Sequence, residues 1–121
     1  CGNCCTGAPG YVWVADQEIV DLAKRLGLDE ASFRRKYTRT VKGSVSLIEK
    51  ANNDCVFFAA GKGCTVYEQR PKQCRTWPFW RSLVRSRGDW KAASQGCPGI
   101  DHGTLHGAAA IAASAADDGV V

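Results

Sequence analysis

Three cysteines stand within the first five residues, Cys1, Cys4 and Cys5, and four more follow singly at Cys55, Cys64, Cys74 and Cys97. No other feature restricts the fold so strongly. Adjacent Cys4 and Cys5 cannot pair with each other without strain, because disulfide geometry fixes both the Cα separation and the dihedral. Seven is also an odd number, so any disulfide framework leaves one thiol over. A soft metal takes several thiolates at one point, and the pattern therefore predicts metal ligation. Thiols held for metal are reduced thiols. That expectation places the chain in a reducing intracellular compartment, the cytoplasm or an organelle matrix.

A chain of 121 residues is one domain's worth of sequence. Hydrophobic residues make up 45% and charged residues 23%, which excludes disorder along the whole chain. No uncharged apolar run reaches the roughly 18 residues of a membrane span. The formal charge is +4. Thiolate-rich sites would absorb most of it, so the basic balance says little about nucleic acid. The sequence contains no Met, so the chain is expected to be processed, trimmed or part of a longer product, and any targeting segment lies outside it.

Hydrophobic spacing lays out the elements. Residues 11–15 are aromatic and β-branched and predict a strand. Asp16 is expected to cap a helix whose apolar face is Ile19, Leu22, Ala23 and Leu26, ended by Gly27. Asp29 starts a second helix with Phe33 and Tyr37 on one face and Arg34, Arg35, Lys36 and Arg39 around it. Residues 44–49 alternate as a strand, and Asn52-Asn53-Asp54 is a turn. Residues 55–60 and 64–68, joined by Gly61-Lys62-Gly63, read as a hairpin. Pro71 opens a helical turn leading to Cys74. One or two short helices occupy 79–95, and Gly96-Cys97-Pro98-Gly99 is a turn. An Ala-rich helix runs from Leu105 to Ala116. The expected fold is a small α+β domain, stabilised by metal, with short helices, a β-hairpin or three-stranded sheet, and Cys-bearing loops. The expected division is a metal-binding domain over 1–103 and an Ala-rich tail over 104–121.

Every cysteine is a ligand candidate. Cys1 and Cys4 have the two-residue gap that aims two sulfurs at one ion from a tight turn. The others sit at turns or strand ends. The segments Cys1-Gly2-Asn3-Cys4-Cys5 and Cys55-Val56-Phe57-Phe58 are the first two pieces of a longer pattern. The block Gly63-Cys64-Thr65-Val66-Tyr67-Glu68-Gln69-Arg70-Pro71-Lys72-Gln73-Cys74-Arg75-Thr76-Trp77-Pro78, and then Cys97-Pro98-Gly99, complete it. Together they resemble the CxxCxxCC cysteine-cluster family, described by zinc or iron chelation. The resemblance runs from Cys1 to about Gly103. The family pattern carries a further Cys three residues ahead of the position of Cys1, which would make eight thiols, enough for two four-thiolate sites or one binuclear site. The family also resembles the flagellin lysine N-methylase, which implies a link to iron–sulfur chemistry or methyl transfer. No cosubstrate loop appears in this sequence.

One close cysteine group followed by distant single cysteines, the last preceding Pro98, leans towards an iron–sulfur cluster, with zinc as the alternative. Arg70 and Arg75 flank Cys74 and are expected to offset the negative charge of the thiolates. His102 and His106 have the i, i+4 spacing that puts two imidazoles on one helix face, and are candidates to complete an open site. Between Arg70 and Lys91, basic residues alternate with Trp77, Phe79, Trp80 and Trp90. This stretch is read as the packing behind the cluster rather than as a nucleic-acid face. No Ser–His–Asp set, carboxylate pair or phosphate loop is present. The expected function is a metal-binding module that docks onto protein partners through its aromatic and basic surface or its Ala-rich one. The alternatives are an iron–sulfur redox or methyl-transfer enzyme, and a metal chaperone or sensor.

Overall fold

A computed structural model describes residues 3–7 and 10–120. It has mixed α+β architecture with two small antiparallel sheets. The first is β1 (Val12–Trp13), β2 (Thr38–Val41) and β3 (Ser44–Leu47), in the order β1-β3-β2. The second pairs β4 (Phe58–Ala59) with β5 (Gly63–Cys64). Helices α1 (Asp16–Leu26) and α2 (Glu30–Tyr37) precede β2. Later come α3 (Lys72–Thr76), α4 (Arg81–Val84), α5 (Arg87–Ser94) and α6 (Ala108–Ala116).

The core is built where the periodicity predicts it. Ile19, Leu22 and Ala23 on α1 are buried and pack with Phe33, Leu47, Phe57 and Val66. Burying each of the large apolar side chains stabilises the fold by about 1.5–3 kcal/mol. Phe33, Tyr37 and Phe57 form an aromatic triangle with centroid separations of 5.0–6.1 Å. Gly27 ends α1 in the left-handed region at φ 70°, which glycine enters without Cβ strain. Asp29 caps α2 by accepting from the Ser32 N–H at 3.1 Å.

Several local expectations need correction. Ala15, not Asp16, occupies the cap of α1, and its N–H donates to Glu18 Oε1 at 3.0 Å. Asp16 instead lies in the first turn, where its charge suits the helix dipole. Leu26 is partly exposed and outside the core. Arg39 is not helical: Thr38–Val41 form β2, paired in a hairpin with β3 across Lys42 and Gly43. Both turn residues have positive φ, 50° and 84°, as a two-residue hairpin turn demands. The hairpin expected over 55–68 shrinks to two paired residues per strand, because Tyr67–Gln69 coil into a 3-10 turn and Cys55 makes only a single bridge to Glu49. Helix α6 starts at Ala108, after His102 and His106, so the two imidazoles share no helix face.

Helix α3 is tied by hydrogen bonds to several other parts of the chain. Buried Gln73 donates from Nε2 to the Tyr11 carbonyl at 2.8 Å and accepts at Oε1 from the Trp13 N–H at 2.9 Å. It thereby occupies the open edge of β1. Glu18 Oε2 accepts from the Lys72 N–H, and Trp80 Nε1 donates to the Gln73 carbonyl at 2.8 Å. The segment after α6 returns to the same place. Asp118, 3% exposed, accepts from the Arg81 and Val120 N–H groups, both at 3.0 Å, and its carbonyl accepts from Thr76 Oγ1. Gly119 lies so close that a Cβ there would sit 2.9 Å from the Gln73 nitrogen.

Candidate metal centre

These elements deliver cysteines from five separate segments to one place. A cavity of about 630 Å³ is lined by Cys4, Cys5, Cys55, Cys64, Cys74 and Cys97. Cys1 lies outside the described residues. Cys4 and Cys5 arrive on a 3-10 turn, Asn3–Cys5. Cys55 follows the Asn52–Asp54 turn, and its N–H donates to the Cys5 carbonyl at 2.7 Å. Cys64 ends β5, Cys74 is mid-α3, and Cys97 follows α5. All six are free thiols.

Three of the thiols influence one another's ionisation, the Cys5 thiol acting as the donor towards Cys4 and Cys64. Sharing the Cys5 proton lowers Cys4 to about 6, against the opposing effect of burial. The same contact lowers Cys64 to about 6, helped by the Arg70 and Arg25 charges. Cys5, holding the shared proton, is pushed up. Burial pushes Cys55 up and Cys74 up to about 12. The site thus mixes two thiols that ionise more easily with half-buried ones that hold their protons, and negative charge on any one raises the others.

Whether a metal fits turns on the donor chemistry. Six soft sulfur donors, with Lys62 and Arg70 on the same wall, suit a zinc ion or an iron centre, whose thiolate shell carries excess negative charge. Among the described residues, no three His, Cys, Asp or Glu side chains already surround one point. The six cysteines lining the cavity supply the right atoms without a closed shell among the described residues.

The other predicted residues divide. Arg70 lines the cavity, stacks 3.8 Å above the Tyr67 ring and donates from Nε to the Tyr67 carbonyl at 2.9 Å. Arg75 lines a neighbouring charged groove with Glu18, Asp21 and Arg25 instead. His106 packs edge-on against Phe79 at 5.4 Å, and neither His102 nor His106 lines the cysteine cavity. Phe79 also stacks on Trp90 at 5.9 Å, so that part of the aromatic stretch is packed together. Trp77 lines the cysteine cavity and also an adjoining one of about 280 Å³, which shares Cys4, Cys5, Cys55 and Cys74 with it. Residues that the sequence did not single out include Gln73, Glu18 and Asp118, which fix α3, and Arg25, whose partners lie on the Cys64 segment. Gln73 had a faint signal in its place just before Cys74; Arg25 had none.

Among the described residues no helix is long and apolar enough to cross a membrane. No solved structure matches the chain. Residues 1–98 match the model of the CxxCxxCC family, described as "Putative zinc- or iron-chelating domain". That match spans all seven cysteines and most of the length. The chain belongs to the CxxCxxCC family.

Proposed function

We propose that this chain is a thiolate metal-binding module that holds zinc or iron among Cys4, Cys5, Cys55, Cys64, Cys74 and Cys97, with Cys1 as a further donor. One observation carries this reading: free cysteines from five segments line one cavity. Bound metal would supply positive charge that keeps the thiolates ionised and ties the loops to one another. Cys4 and Cys64 would enter as thiolates, Cys5 would release the proton it shares with them, and Arg70 would balance charge at the rim. Arg75 would act at longer range, from its neighbouring groove. Single ligands on separate loops favour an iron–sulfur cluster over a zinc site built from two close pairs.

The same reading makes the protein a structural or interaction module, with a metal-binding domain over 1–103 and residues 104–121 as an appended segment. Leu105 is 95% exposed and most of α6 faces solvent, which favours docking of a protein partner there. A second reading, a metal carrier or sensor, is favoured by the exposure of Cys4 and by the absence of a closed shell among the described residues.

The test is elemental analysis of protein purified without oxygen. Iron with matching sulfide is the expected result, and zinc alone would remove the cluster. Absence of both, with all seven thiols titrating freely in the folded protein, would remove the metal-binding reading. Rapid loss of metal to a chelator would favour the carrier over the structural module.

A further inference from the structure

Arg25 stands at the C-terminal end of α1, far in sequence from every cysteine, yet its guanidinium spans to the segment that carries Cys64. Nη2 donates to the Thr65 carbonyl at 3.1 Å. Nη1 donates to Gln69 Oε1 at 2.6 Å and to Glu68 Oε2 at 3.1 Å. Thr65 immediately follows Cys64, so two sides of one planar fork grip both ends of the Thr65–Gln69 loop. A lysine carries one point charge and cannot reproduce this geometry. Val66 anchors the middle of the loop in the core against α1, and the Thr65 N–H and Oγ1 both donate to the Phe57 carbonyl, at 2.9 and 2.6 Å; Arg70 bonds within the segment, to the Tyr67 carbonyl. Exposed ion pairs contribute little by themselves, and Arg25 to Glu68 is of that kind. The carbonyl and amide contacts add a tie from α1 to both ends of the loop, on either side of the Val66 anchor.

We propose that Arg25 is a positioning residue for the Cys64 donor, fixing the Thr65–Gln69 loop against α1 so that the sulfur faces the shared cavity. This rests on the metal-binding reading above. Groups that orient ligands typically change metal affinity by about 10–100-fold when removed.

The test compares the full chain with Arg25→Gln, Arg25→Lys and Glu68→Gln. Two readouts are taken: zinc affinity by competition with a chromogenic chelator, and amide exchange across residues 65–70 in the metal-free protein. Arg25→Gln should weaken zinc about tenfold and speed loop exchange about tenfold, leaving exchange in α2 and β3 unchanged. Arg25→Lys should recover little of either, and Glu68→Gln should stay near wild type, separating the fork from the ion pair. Unchanged loop exchange and affinity in Arg25→Gln would overturn the proposal. So would full recovery by lysine, since charge alone would then suffice. A wild-type chain that binds no zinc, with loop exchange still faster in Arg25→Gln, would overturn zinc as the metal while keeping the role of Arg25 in placing the loop.

Discussion

Cys74 and the Cys4–Cys5 pair face the same cavity from unequal supports. Cys74 sits on a helix pinned by Gln73 to β1, by Glu18 to α1 and by Asp118 to the chain's last described residues. Cys4 and Cys5 sit on one 3-10 turn, joined to the rest through the Cys55 N–H to Cys5 carbonyl bond. Cys74 is half-buried with its thiol pushed up to about 12, while Cys4 is exposed and lowered to about 6. The difference teaches a division of labour: one arm is prebuilt by ordinary folding, and the other has its ligands chemically ready but weakly placed.

The sharpest way to break that comparison is to add metal. With free zinc at 100 times its Kd, amide protection at residues 3–6 and at Cys55 should rise about 100-fold. Gln73 and Cys74, already protected, should gain less than about tenfold. Equal gains, read by hydrogen exchange and mass spectrometry, would mean the arms do not differ. Next in size, Gln73→Leu leaves the Tyr11 carbonyl and the Trp13 N–H unpartnered. It should cost about 2 kcal/mol in urea unfolding of the metal-free chain.

A tenfold effect is expected in thiol chemistry. At about pH 7 without metal, iodoacetamide should modify Cys4 and Cys64 at least about tenfold faster than Cys74, because the thiolate is the nucleophile. Acidification below about 6 should slow the first two. The smallest effect belongs to Asp118. Burial pushes its carboxyl up, but the Arg81 and Val120 N–H donors prevail and hold it below the usual range. A depressed folded pKa gives stability that is present above the unfolded value of about 3.9 and is lost as pH falls through the folded value. Asp118→Asn should therefore cost about 1 kcal/mol near neutral pH, with the gap closing in acid. Unfolding curves at two pH values would show it, and a gap that widens in acid would contradict the assignment.

The helical half of the fold was legible because its signals are local. Ile19, Leu22 and Ala23 share a face, and Asp29 supplies a cap three residues before its partner Ser32. β2 was not legible, because Thr38–Val41 continues a basic helical run and only the Lys42-Gly43 turn betrays it. The cysteines were legible as candidates by type. Their supports were not: Gln73 meets Trp13 across 60 residues, and Arg25 meets Thr65 across 40. No period or local motif records a contact made only by the assembled fold.

The placement of Gln73 also governs how the molecule meets its own kind. β1 is an edge strand, and its outward Tyr11 carbonyl and Trp13 N–H are the groups a foreign strand would seize. The side-chain amide of Gln73 fills both and so closes that edge of the sheet, leaving β2 as the other edge. The same helix carries Cys74. A shift of α3 would therefore move the Cys74 ligand and the guard of the β1 edge together.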